Sequence, residues 1–420
     1  MTIIAIRGRL LSYNPEPSYI ADGLIRVKQG RIAAIGPAAE LLPHLPFGTR
    51  IEHHPDHLIL PGFIDPHIHL PQTRVLASYG PGLMDWLEGH VFAEEARYAD
   101  PSVAEAGARF FLDELLRNGT TTACVYGSVH AGSAAALFAE SVRRGTAMIA
   151  GKVMMDRNAP PVLLDDAQSS YDQSKALIER WHGKQRQRYA VTPRFAITST
   201  AAQLEAAGAL LKEFPGIYLQ THLSETPDEI AATMRLFPGA RDYTDVYDRY
   251  GLLGPRSLFG HCLHLSDAEI GRLAETGSVA VFCPTSNLFL GSGLPDPARL
   301  AGRVRLALAT DVGAGTSYSM LKTAAEIYKI EQSRGRPLPV HESFRWITRG
   351  NAEALKMEEE IGSLAVGHFA DLVVLNASAT EAMAHRMERC ASLEEELFVL
   401  LTLGDDRAVA ATYIRGEKAL

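Results

Sequence analysis

The chain has 420 residues, enough for one large domain with a smaller companion. At 46% apolar and 21% charged residues its composition is that of a globular protein, and it holds no run of about 18 uninterrupted apolar residues of the kind a membrane helix needs. A formal net charge of -8 argues against a nucleic-acid or anionic-membrane partner, because both select basic surfaces.

The N-terminal stretch MTIIAIRGRL lacks the long apolar core of a signal peptide. Cys124, Cys262, Cys283 and Cys390 form no C-x-x-C pair, so reduced thiols and a cytoplasmic location are expected. Segments 3–12 and 24–35 read as β-strands, the second folded around the turn at Gln29-Gly30. Apolar, β-branched runs then recur at 58–69, 120–126, 148–155, 189–195, 217–222, 257–261, 278–283 and 304–310. Between them, stretches such as 102–117, 201–214 and 267–276 carry Ala, Leu, Glu and Arg at helical spacing. Such alternation predicts an α/β fold, a (β/α)8 TIM-type barrel. Segment 331–365 reads as mostly helical and closes the barrel, and 371–375 and 408–415 are β-rich again. The expected organisation is a barrel over 61–365, with 1–60 and 366–420 pairing into a small β-sandwich beside it.

The first barrel run carries PGFIDPHIHLPQ, residues 61–72. Alternate residues of a strand share a face, so His67 and His69 present two imidazoles side by side. Chemistry in such a barrel sits where strands end and loops begin. There, strand five ends in His222, strand six in His261 and strand eight in Asp311, with Glu225 three residues past His222. Alone, Asp311 would read as a helix cap and Glu225 as a carboxylate favoured by a helix dipole. Together they predict a shared site. His67, His69, His222 and Asp311 form a set of three nitrogens and one oxygen that suits one zinc with an open position. His261 and Asp311 are candidates to hold and deprotonate a water there, and Glu225 to carry protons. Whether His261 touches the metal or only its water stays open.

The motifs resemble the amidohydrolase superfamily and, within it, the guanine deaminases. Besides residues 61–72, the resemblance rests on DWLEGHVF (85–92), NGTTTACVY (118–126), GKVMMD (151–156), VTPRF (191–195), THLSE (221–225), FGHCLHLS (259–266), CPTSNLFLGSG (283–293), TDVGAGTSYSM (310–320) and LGDDR (403–407). It implies one zinc, hydrolysis of free guanine to xanthine and ammonia, and a homodimer. It also implies that Gln72 and Arg194 hold the purine and Phe195 packs beside it. Arg194 is a rigid donor fork suited to the O6/N7 edge, and Gln72 both donates and accepts. Two positions depart from the family pattern: Pro66 stands where Thr is usual, and Thr316-Ser317 replaces Gly-Tyr, with consequences for the pocket rim.

Three rivals share part of this pattern. The metal set also fits a hydrolase of another aminopurine, cytosine or a triazine. Binuclear hydrolases of the dihydroorotase or hydantoinase type need a lysine on strand four, which YAVTPRF lacks. A catalytically inactive metal-binding scaffold is the rival of another class, disfavoured by the presence of every ligand and of Glu225.

Overall fold

The computed structural model describes residues 4–419, so Ile3, expected to open the first strand, lies outside the described residues. Strands β1 (Ile4–Tyr13), β2 (Pro17–Lys28), β3 (Arg31–Pro37) and β4 (Arg50–Pro61) come from the N-terminal part of the chain. The barrel follows, with β5 (Phe63–His69), β6 (Thr120–Tyr126), β7 (Ala147–Gly151), the short β8 (Val153–Met154), β9 (Arg188–Pro193) and β10 (Tyr218–Leu223). It is completed by β11 (Ser257–His261), β12 (Val279–Phe282) and β13 (Arg305–Leu308). Then come β14 (Leu372–Leu375), β15 (Val409–Ile414) and β16 (Glu417–Lys418).

Both ends of the chain meet in one seven-stranded sheet, ordered β16-β15-β14-β4-β1-β2-β3. The barrel strands run parallel in the order β5-β6-β7-β9-β10-β11-β12-β13, with β8 extending the pairing on β9. β5, β6, β7, β11 and β12 are buried along their whole length, as expected for strands sheathed by helices on one side and a packed core on the other. The intervening helices are capped as their sequences dictate. Asp100 accepts from the Ser102 amide ahead of Pro101–Arg117, and Ser266 and Glu269 form a capping box ahead of Asp267–Thr276.

The run at 58–69 is two strands, not one. Leu58–Leu60 belong to β4 and pair with Val373–Leu375 of β14, whereas Phe63 onward belongs to the barrel. Gly62 alone separates them. Its amide donates to the Asp371 carbonyl at 2.9 Å, and a Cβ there would lie 2.3 Å from Thr121 Oγ1. Asp371 also forms a buried ion pair with Arg186, fastening the terminal sheet to the barrel. Past Met320–Ser333, the segment at 331–365 is helical in Val340–Arg345, Trp346–Gly350 and Asn351–Ala354, then continues in turns. Among the described residues no helix is long and apolar enough to cross a membrane.

β13 and β5 meet without a ladder of their own. Side chains and loop amides close the seam instead. The Asn351 side chain donates to the carbonyls of Ile64 and Leu308 at 2.8 Å each and accepts from the Leu308 amide at 3.0 Å. Further along, Asp65 accepts from the Thr310 amide at 3.1 Å, the Asp311 amide donates to the His67 carbonyl at 2.9 Å, and the His69 amide donates to the Val312 carbonyl at 2.8 Å. Asn351→Ala strands the backbone groups of Leu308 and Ile64 in the interior. Each orphaned group costs roughly 1–3 kcal/mol, so the variant should unfold at clearly lower denaturant than wild type. An unchanged midpoint would show that the seam does not depend on this side chain.

Candidate metal centre and substrate pocket

The seam opens into the site. His67 and His69 leave β5 on one lip, and Asp311 follows β13 on the other. His222 near the end of β10 and His261 at the end of β11 complete the cluster. Several strand ends turn sharply to aim these groups: Ser224, His261 and Asp311 adopt φ of 52°, 71° and 55°. Left-handed backbone in non-glycine residues is costly and persists where the surroundings enforce it. Gly260 matters for space, because a Cβ there would lie 2.5 Å from His67 Cε1.

The ring centroids of His67 lie 5.2 Å from His69 and 4.9 Å from His222. Asp311 Oδ1 sits 3.4 Å from His67 Nε2 and 3.2 Å from His69 Nε2. Ligand atoms of His67, His69 and His222 all fall within 4.8 Å of one another, as do those of His67, His261 and Asp311. The His222 Nδ1–H donates to the Arg194 carbonyl at 2.7 Å, which leaves Nε2 as an unprotonated ligand atom. His67 Nε2 and His69 Nδ1 are buried without any hydrogen-bond partner, and the 3.4 Å approach of His67 to Asp311 falls short of a hydrogen bond. An orphaned, buried imidazole nitrogen of His67 facing the Asp311 carboxylate, with His69 Nε2 beside the same oxygen, fits a divalent cation.

Electrostatics point the same way. Desolvation pushes His69 down to about 4, His261 to about 3 and His222 well below its ordinary range. The imidazoles are therefore neutral, the form that binds metal. Burial opposes ionisation of Asp311, but the His67 and His69 imidazoles beside it outweigh that and hold it well below the usual carboxylate range.

Glu225 behaves oppositely. Burial, then the nearby Glu229 and Asp311 carboxylates, push it well above the usual range. Its Oε1 accepts from Ser292 Oγ at 2.8 Å, and Oε2 lies 3.3 Å from His261 Nε2. Asn287 Nδ2 donates to His261 Nδ1 at 2.9 Å, which puts the His261 proton on Nε2, toward Glu225 and Asp311.

A small cavity lies against the cluster. His69, His222, Glu225, His261 and Asp311 line one side, and Gln72, Arg194 and Phe195 line it with them. His67 is buried behind them. Every side chain expected from the sequence to act thus converges here. Apolar walls come from Leu83, Trp86, Leu87, Leu290 and Ala314, while Thr316 and Ser317 take no part in the lining. Sequence reasoning missed three buried partners. Asn287 and Ser292 lie inside the 283–293 motif without a role being assigned to them, and Glu95 reads as an ordinary helix glutamate in FAEEARY.

The Amidohydrolase family pattern matches residues 58–418. The chain belongs to the amidohydrolase family. This amidohydrolase is 45% identical to the guanine deaminase of Escherichia coli K12, covering 99% of this chain and 97% of that protein. Its fold superposes on the solved E. coli guanine deaminase with a TM-score of 0.97 at 44% identity over 99% of both chains. The guanine deaminase of C. acetobutylicum, solved with guanine bound in its active site, matches over the full length of both chains at 28% identity and a TM-score of 0.89. Barrel, terminal sheet and family kinship agree with the sequence reading.

The depressed histidines make the metal-free amidohydrolase acid-sensitive. Their folded pKa values lie below the unfolded value near 6.5; the unfolded chain therefore binds more protons, and stability rises with pH. Stability is complete above about pH 6.5 and is lost as pH falls toward the values of about 4 and about 3 held by His69 and His261. Thermal melts of chelated protein should show Tm falling as the buffer goes from about pH 7 to about pH 5, and saturating zinc should reduce the drop at a given pH. A Tm flat across that range would contradict the neutral cluster.

Proposed function

We infer that this protein hydrolyses guanine to xanthine and ammonia, and we propose that a single zinc per chain serves the reaction, held by His67, His69, His222 and Asp311. The observation that carries the reading is the placement of Arg194 and Gln72 in one cavity with the imidazole–carboxylate cluster and with Glu225. A cation held there supplies Lewis acidity that makes water a nucleophile near neutral pH.

The side chains divide the remaining work. Arg194, a fork of donors, suits the O6/N7 acceptor edge of the purine, and Phe195 lies beside it at the wall. With that edge anchored, C2 faces the cluster. The oxygen of water bonds to C2, and the proton it gives up passes through Glu225 to N3. The remaining hydroxyl proton goes to the exocyclic amine, the bond from C2 to that nitrogen breaks, and ammonia leaves xanthine behind. Glu225 suits the transfers because burial and the neighbouring carboxylates raise its proton affinity well above that of an ordinary carboxylate. His261, with its proton on Nε2, orients the attacking water beside Asp311.

Elemental analysis should find a single zinc in each chain, and chelation should abolish ammonia release. In a panel of aminopurines and aminopyrimidines, guanine should be the fastest substrate. Two metals per chain, or cytosine turned over faster than guanine, would refute the respective half of the reading.

Glu225→Gln should retain zinc and fold while losing at least about 10²-fold in kcat, the low end for a missing general acid–base group. Near-normal turnover in that variant would reduce Glu225 to a structural role.

A further inference from the structure

Behind the cavity, a buried carboxylate ties together the two side chains that face the purine in the proposed function. Glu95 lies on the short helix Phe92–Ala96, is 0% exposed, and takes no part in lining the cavity. Arg194 Nη1 donates to both of its oxygens at 2.7 Å, and Gln72 Nε2 donates to Oε1 at 3.0 Å. The Gln72 carbonyl oxygen accepts from the Gly313 amide at 3.3 Å, so both ends of the amide are assigned. Arg194 itself is 3% exposed, with the Phe92 ring 5.9 Å from its guanidinium carbon.

Two consequences follow from this geometry. The first is orientation. Nη1 is committed to Glu95, and no protein acceptor among the described residues is seen for Nε or Nη2, which leaves those donors for a ligand. The second is charge. A lone guanidinium in a closed, weakly polar pocket attracts anions strongly. Beside Glu95 it becomes one half of a neutral pair, a fixed set of donors suited to an uncharged carbonyl. The distinction matters chemically, because replacing the amine of guanine by a second oxo group yields a product that loses a ring proton more readily than the substrate.

We propose that Glu95 is the positioning residue of purine recognition: it fixes the donors of Arg194 and Gln72 and cancels the Arg194 charge, so that the pocket selects neutral oxopurines over their anions. The proposal rests on the reading that Arg194 and Gln72 hold the purine.

The test compares xanthine with hypoxanthine in mildly alkaline buffer, where xanthine is largely a monoanion and hypoxanthine largely neutral. Affinities of the zinc-loaded protein for each are read by calorimetry, which needs no turnover. Wild type should bind hypoxanthine more tightly than xanthine. Glu95→Gln keeps the shape but leaves Arg194 uncompensated. The ratio of the two affinities should then move about tenfold toward xanthine, and KM for guanine should rise about tenfold while kcat changes much less, as expected when a charge-assisted hydrogen bond is lost. Zinc content should not change. Glu95→Asp, which restores the charge, should return the ratio toward wild type. A folded, zinc-loaded Glu95→Gln with the wild-type ratio overturns the proposal. So does tighter binding of xanthine than hypoxanthine by wild type, which decides the matter even if the variant does not fold. Wild type that binds both purines but releases no ammonia from guanine would sink the functional reading and leave this one standing on its affinity ratio.

Discussion

The meeting of the eighth barrel strand with the first is the constraint on which the rest depends. A parallel barrel normally closes with one more row of backbone hydrogen bonds. Here that row is replaced by Asn351 at one end, by the Asp65 carboxylate facing Thr310 in the middle, and by the amides of Asp311 and His69 at the other. The arrangement spends buried polar groups where a ladder would have served, and in return it brings His67, His69 and Asp311 to opposite lips of one opening. A barrel that gaped by an ångström at this seam would part the carboxylate from the imidazoles it faces at 3.2–3.4 Å.

The same burial acts differently on the two carboxyl groups of the site. Both are almost inaccessible. Asp311 is surrounded by imidazoles and stays ionised, whereas Glu225 faces Glu229 and Asp311 and is driven toward its neutral form. Two carboxyl groups with opposite protonation preferences is the usual arrangement when one must carry charge and the other must carry protons. Ser292 and Asn287, both from the segment after β12, hold Glu225 and His261 in place. That segment therefore sets acid–base geometry without contributing an acid or a base.

Much of this was legible in the sequence because strand ends and ligands coincide. The runs at 120–126 and 257–261 match β6 and β11 residue for residue, and the polar residues closing such runs are the ones that converge. The run at 58–69 misled because the residues on both sides of Gly62 are buried, so hydropathy is continuous across a change of sheet. Glu95 was invisible for a different reason. Its helix carries neighbouring glutamates of which Glu94 forms a surface ion pair with Arg97, and nothing local marks which one turns inward. Only the arrival of Arg194, ninety-nine residues later, gives that carboxylate its role.

The composite terminal sheet has a consequence for how the protein comes into being. β4 flows into β5 across a single residue, and its outer neighbour β14 is made more than three hundred residues later. During synthesis His67 and His69 emerge on β5 long before Asp311 and Asn351, the residues that meet that strand across the seam. Assembly of the site therefore waits on residues far downstream, and a chain released before Asn351 lacks the side chain that ties β13 to β5.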